Sequence, residues 1–297
     1  MKIRSFIYII LAGMLWGSST IFVYFLAPYG FSSLQLTAVR AVVSFLFIAC
    51  FALIKDRKAF RIKFLDLLIC MGVGFCLFAT AAFYYIAMDM TSTATAVVIM
   101  YMSPVYVMVF SVLFFKERFS RMKLAALVLV MAGSVFVSGV VGGGLSFDPV
   151  GIIFAILSGL TLAGYNVFTK ISAERGCKPL TTTVYGFLFM AVFATVFGDP
   201  LNIFTLAIQN LIVTVPLLVG IGIVTCIMPY FLYNLAIENI PVGTAAALAV
   251  IDPMAATVYS VFLGEQIGYI PIIGIVLVLL SVILLGLAEG NKGDNNG

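Results

Sequence analysis

Two charges stand where charges are expensive. Asp252 lies about ten residues into the apolar run 242–263, or about 15 Å deep at the rise of an α-helix. Arg40 lies about seven residues, hence about 10 Å, from the nearer end of the run 33–54. An ionised side chain at the centre of a bilayer costs about 2.5–3.5 kcal/mol on insertion scales, which argues against lipid exposure of either. A buried carboxylate can bind an ammonium group or a proton. A guanidinium can bind a carboxylate, snorkel outward or pair with Asp252, and that last arrangement makes both residues structural. Pro253 removes a helical donor and is expected to loosen the carbonyl near Ala249.

Around these charges the sequence places aromatic and amide side chains able to line a binding cavity: Trp16, Ser19, Tyr84, Tyr101, Tyr165, Asn166 and Tyr233. Aromatic faces attract organic cations, although interface belts and packing use the same residues. Pro104 and Pro253 are read as midspan flexing points or static kinks. Glu117 and Glu265 are read as structural corners before the next helix start, with Ser120 as a cap. Gly13-x-x-x-Gly17 permits close helix contact. Enzymatic machinery is not indicated. The chain has no histidine, no HExxH, no phosphate-binding loop and no convergent carboxylate pair. Its five cysteines show no CxxC spacing, so no metal site and no cofactor is expected.

The elements that must carry these residues are membrane spans. Of 297 residues, 63% are hydrophobic and 9% charged, against about 45–50% and about 25% in soluble domains. Apolar runs of spanning length fall at about 5–27, 33–54, 65–88, 92–115, 123–141, 150–171, 181–197, 211–235, 242–263 and 270–288. In lipid each must satisfy its own backbone, so each reads as a helix. Of the 16 lysines and arginines, all but Arg40 fall on one side of the ten spans. That sidedness places both termini in the cytoplasm and requires an even number of spans. The net charge of +4 reflects this sorting and is not a nucleic-acid signal.

The two halves also resemble each other. Tyr84-x-x-Ala87-x-Asp89 recurs as Tyr233-x-x-Ala236-x-Glu238, Thr95-Ala96 as Thr244-Ala245, and Ser103-Pro104 as Asp252-Pro253. Glu117, Ala126 and Gly133 match Glu265, Gly274 and Ser281, and Trp16-Gly17-Ser18-Ser19 aligns loosely with Ala163-Gly164-Tyr165-Asn166. Five helices per half is an odd number, so the second half enters the membrane from the opposite side. An inverted repeat with a midplane site is a device for alternating access. The expected fold is an all-α integral membrane protein of ten transmembrane helices. Residues 5–141 and 150–288 form its two inverted five-helix repeats, and 289–297 a cytoplasmic tail.

These features resemble the drug/metabolite transporter superfamily, and within it proteins with two EamA-type domains. The likeness rests on Trp16-Gly17-Ser18, on Arg40, and on two patterns: Ala94-Thr95-Ala96 through Pro104 to Lys116-Glu117, and Gly243-Thr244-Ala245 through Pro253 to Gly264-Glu265. It implies a central cavity lined by the first, third, fourth, sixth, eighth and ninth helices, with the second helix peripheral. It leaves open uniport, proton coupling and export. The expected function is secondary transport of a small organic metabolite, such as an amino acid or amine, across the cytoplasmic membrane. The expected partners are membrane lipid, the substrate and, if coupled, protons, with no nucleic acid, in a monomer or homodimer. The competing reading is a non-transporting membrane subunit or a flippase of lipid-linked substrates.

Overall fold

The computed structural model describes residues 2–91, 93–116, 120–138, 148–264 and 268–294. Among them every regular element is helical. An interrupted helix opens the chain as α1 (Lys2–Gly17) and α2 (Ser19–Leu26), followed by α3 (Ser33–Lys55) and α4 (Phe64–Met90). A second interrupted helix is α5 (Thr93–Met100) with α6 (Ser103–Phe115), and α7 (Arg121–Val137) follows. Then come α8 (Pro149–Glu174), α9 (Pro179–Phe197) and the short α10 (Pro200–Ala207). Next, α11 (Leu211–Gly222) passes through a π-helical turn, Ile223–Ile227, into α12 (Met228–Ile237). A third interrupted helix is α13 (Val242–Leu248) with α14 (Ile251–Phe262), and α15 (Tyr269–Asp294) is the last.

Eight stretches of the described residues are long and apolar enough to cross a membrane, and Tyr269–Leu285 is a shorter apolar helix. The sequence led to an expectation of ten spans. The difference lies in the runs 123–141 and 270–288. The described part of α7 has 17 residues, and 139–147 lie outside the described residues. Glu117 and Glu265, expected as structural corners, lie outside the described residues.

The outer faces are apolar, as lipid requires. Leu46, Phe47, Phe51 and Ile54 of α3 and Ile272, Val276, Leu279 and Ile283 of α15 are exposed. Inside, small residues set the spacing. α7 lies along α15, where a Cβ on Gly133 would stand 2.9 Å from the Gly274 carbonyl oxygen, and one on Gly274 2.7 Å from that of Gly133. α4 lies along α8 and α9, and α1 along α12 and α14. Helix starts are capped in the polar segments. Ser32 and Gln35 form a reciprocal capping box on α3, and Ser120 Oγ accepts the Lys123 amide at 3.3 Å.

The two ends of the bundle are held together by different contacts. At the basic end, Arg175 Nε donates to Asp66 Oδ1 at 2.5 Å and Lys178 Nζ to Asp56 Oδ2 at 2.6 Å. The Lys178 hydrogen bond holds the Asp56 carboxyl below its ordinary value, so this contact is lost as pH falls through that lowered value. Lys123 Nζ donates to Thr244 Oγ1 at 3.0 Å, and Lys170 Nζ to the Ile237 carbonyl at 3.1 Å. At the other end Leu26, Phe31, Leu36, Leu218 and Ile221 form an apolar cluster. Arg175→Gln is expected to cost about 1 kcal/mol, because the arginine is partly exposed and solvent screens the pair. Adding Asp66→Asn should recover most of that cost, a coupling read by a double-mutant cycle of thermal unfolding in detergent. Additive losses would show that the pair contributes nothing.

Candidate functional site

Asp252 owes its position to a break in its helix. Ala249 (φ −63°, ψ −15°) and Val250 (φ −66°, ψ 0°) turn more tightly than an α-helix, and the chain restarts at Ile251. The Ala249 carbonyl, which Pro253 was expected to loosen, instead accepts the Asp252 amide at 3.1 Å. Pro253 stands in the first turn of α14, where its missing N–H leaves no helical bond unmade. Asp252 shares that turn, with its carboxylate at the positive end of a half-helix. The first half repeats the device. Met102 (φ −72°, ψ −6°) precedes α6, with Pro104 in the first turn, and the Met102 amide bonds the Ile99 carbonyl at 3.1 Å. Both prolines therefore punctuate restarts rather than kinking continuous helices.

The two breaks border one cavity of about 220 Å³. Its charged walls are Asp252 and Arg40. Asp252 Oδ2 accepts the Tyr101 hydroxyl at 3.1 Å. Arg40 Nε donates to Cys226 Sγ at 3.3 Å. No ion pair joins Arg40 to Asp252 among the described residues; the two charges face one space through separate partners.

Arg40 reaches the cavity because α3 seats against the π-helical turn. A Cβ on Gly222 would stand 2.5 Å from Val43 Cγ1, so the glycine lets α3 approach. The Gly222 carbonyl accepts Ser44 Oγ at 3.0 Å and the Ile221 carbonyl accepts Thr225 Oγ1 at 2.6 Å. Hydroxyls thus serve carbonyls in the segment whose helical register is disturbed. The helix expected to be peripheral contributes a cavity wall.

The remaining walls are aromatic. Trp16 meets Tyr230 edge-on at 5.0 Å and Tyr233 at 5.6 Å between ring centroids, and Tyr165 meets Tyr230 at 5.5 Å. Buried hydrogen bonds fix the tyrosines. Tyr233 donates to Asn166 Oδ1, whose amide donates to the Leu162 carbonyl at 2.8 Å. Tyr165 donates to Asn234 Oδ1 at 3.1 Å, and Asn234 to Thr183 Oγ1 at 2.9 Å. Among the described residues, Trp16 Nε1 is buried without a hydrogen-bond partner, and the indole is held by packing and ring contacts.

Of the residues singled out from sequence, Trp16, Ser19, Arg40, Tyr101, Tyr165, Asn166, Tyr233 and Asp252 all line this cavity. Tyr84 does not. It packs on Ala87, Ala96 and Ala155 beside Tyr85. Pro104 and Pro253 are buried in the helix restarts. Sequence reading gave Tyr230 no special place, although it stands three residues before Tyr233 on the same helix face, a spacing that could have found it. Cys226 was also passed over. Nothing in its sequence neighbourhood marks it as the partner of Arg40.

The profile of the EamA-like transporter family matches residues 3–139 and again 149–287. An uncharacterized transporter of Archaeoglobus fulgidus is 29% identical over 286 residues, covering 93% of this chain and 94% of its own length. The uncharacterized transporter YxxF of Bacillus subtilis is 23% identical over 275 residues, covering 88% of this chain and 84% of its own. A solved crystal structure 17% identical in sequence matches with a TM-score of 0.80 over 98% of this chain and 99% of that one, which shows a shared fold. Apolar helices of spanning length, a cavity among them and a family profile matched twice along the chain agree: this is a multi-pass membrane protein that belongs to the EamA-like transporter family.

Proposed function

We propose that the protein is a secondary transporter that carries a small organic metabolite with a cationic group across the cytoplasmic membrane by alternating access. One observation carries this reading. Both matched halves supply walls of the same cavity, with Trp16, Arg40 and Tyr101 from the first and Tyr165, Tyr230 and Asp252 from the second. A site between two halves is exposed to either side when they rock against each other. The volume of about 220 Å³ favours a metabolite over a drug-sized ligand, which needs about 300–1,000 Å³. Asp252 supplies the negative charge and the aromatic faces suit a cation.

In this reading α7 and α15 complete ten spans, as the fifth helix of each half. The close contact of α7 with α15 at Gly133 and Gly274 supports that pairing, since like elements of the two halves meet there. Residues 5–141 and 150–288 are then inverted repeats, with both termini in the cytoplasm. Cysteine labelling in intact cells tests the orientation, in a background lacking the native cysteines. Lys58→Cys is expected to be shielded from an impermeant reagent and Gln209→Cys to react with it. Reaction at both sites, or the reverse pattern, contradicts the orientation. Accumulation of labelled amines and amino acids in proteoliposomes tests transport itself. A non-transporting subunit gives no accumulation above protein-free vesicles, and a lipid flippase moves labelled lipid instead.

A further inference from the structure

We infer that the cavity is built for a zwitterion, with a cationic group on Asp252 and a carboxylate on Arg40. This inference rests on the transport reading and narrows its substrate. Both charged side chains keep unused capacity toward the same space. A guanidinium carries five N–H donors in a planar fork, and among the described residues Arg40 spends one, Nε–H on Cys226 Sγ. Asp252 has two oxygens and uses Oδ2 on the Tyr101 hydroxyl. Neither residue makes an ion pair among the described residues, yet both line one cavity.

Electrostatic matching narrows the occupant. A simple cation satisfies Asp252 and brings a like charge toward the Arg40 guanidinium. A simple anion does the converse. A molecule with one charge of each sign satisfies both groups, and a carboxylate matches the arginine fork in two parallel bonds. The aromatic wall of Trp16, Tyr165, Tyr230 and Tyr233 then receives the apolar remainder. An amino acid or a betaine has this chemistry.

The protein carries its own reporter. Trp16 is the single tryptophan of the chain, it lines the cavity, and among the described residues no hydrogen bond holds its indole. Its emission, excited where tyrosine does not absorb, is read while ligands are added to the purified full-length protein. The probes are glycine betaine and the amino acids other than tryptophan and tyrosine. Each amino acid is paired with the amine lacking its carboxylate and the acid lacking its amino group. At least one zwitterion is expected to change the emission saturably, with its amine and its acid each at least about tenfold weaker, the loss of one charged hydrogen bond. Arg40→Gln is expected to bring the amino acid level with its amine, and Asp252→Asn to bring it level with its acid. The matched series on the unaltered protein decides the question even where a variant fails to fold.

An amine that binds as tightly as its amino acid, or silence from every zwitterion, overturns the inference. Accumulation of that amine in proteoliposomes would leave transport standing without the zwitterion. Saturable zwitterion binding without accumulation of any probe would do the opposite.

Discussion

Asp252→Asn is expected to leave the protein folded and to stop transport. The substitution keeps the side chain's size, and asparagine Oδ1 can still accept the Tyr101 hydroxyl that Asp252 Oδ2 accepts at 3.1 Å. Among the described residues Asp252 makes no ion pair, and Arg40 Nε rests on Cys226 Sγ. What disappears is the negative charge of the cavity. A hydrogen bond to a charged group contributes about 1.5–3 kcal/mol, so affinity for a cationic group should fall by roughly 10- to 100-fold. Initial rates in proteoliposomes, beside a thermal unfolding curve in detergent, separate the site from the scaffold. Transport at the unaltered rate would remove Asp252 from the site. Failure to fold, relieved by adding Arg40→Gln, would return the two charges to a structural pair, whose breakage costs about 3–5 kcal/mol.

Gly17→Ala is expected to harm stability and transport together. A Cβ at this position would stand 2.7 Å from the Ala256 amide nitrogen, 2.7 Å from the Asp252 carbonyl oxygen and 2.8 Å from Ala255 Cβ. Two of these are backbone atoms of α14, so no side chain can rotate away and the half-helix bearing Asp252 must shift. Overpacking of this kind costs about 1–3 kcal/mol, and the shift moves the carboxylate relative to the Tyr101 hydroxyl. A lowered melting temperature with reduced transport is the expected result. Gly268→Ala, where nothing among the described residues lies within 4 Å, is the silent control. Unchanged stability in Gly17→Ala would mean that α1 and α14 separate at little cost.

The sequence revealed Asp252 as a charge in an apolar run, and Tyr84 and Tyr233 as tyrosines at matching places in two halves, whereas Trp16, Tyr101 and Tyr165 stood out as aromatics within apolar runs. The order of the helices was legible from the apolar runs. The rotation of each helix was not. Tyr84 and Tyr233 are equivalent in the repeat, yet Tyr233 lines the cavity and Tyr84 packs among alanines. Arg40 reads from sequence as a depth only. Its arrival at the cavity depends on α3 seating against the π-helical turn at Ile223–Ile227, where Ser44 from a distant segment serves a carbonyl. No local periodicity encodes such a turn. Pro104 and Pro253 marked the right places for the wrong reason. A proline in an apolar run looks like a kink, whereas each here begins a new helical segment.

Under the proposed alternating access, the unlike contacts at the two ends carry a thermodynamic signature. Separating the cluster of Leu26, Phe31, Leu218 and Ile221 hydrates apolar surface and so raises the heat capacity. That cluster weakens on cooling and tightens in strongly excluded salts. Separating Arg175–Asp66 and Lys178–Asp56 at the other end releases charges into water, and simple salt assists by screening the pairs. Cold and ionic strength thus push that proposed two-sided equilibrium in opposite directions, and a move between cold dilute and warm saline surroundings would change the side on which it rests without any change in substrate.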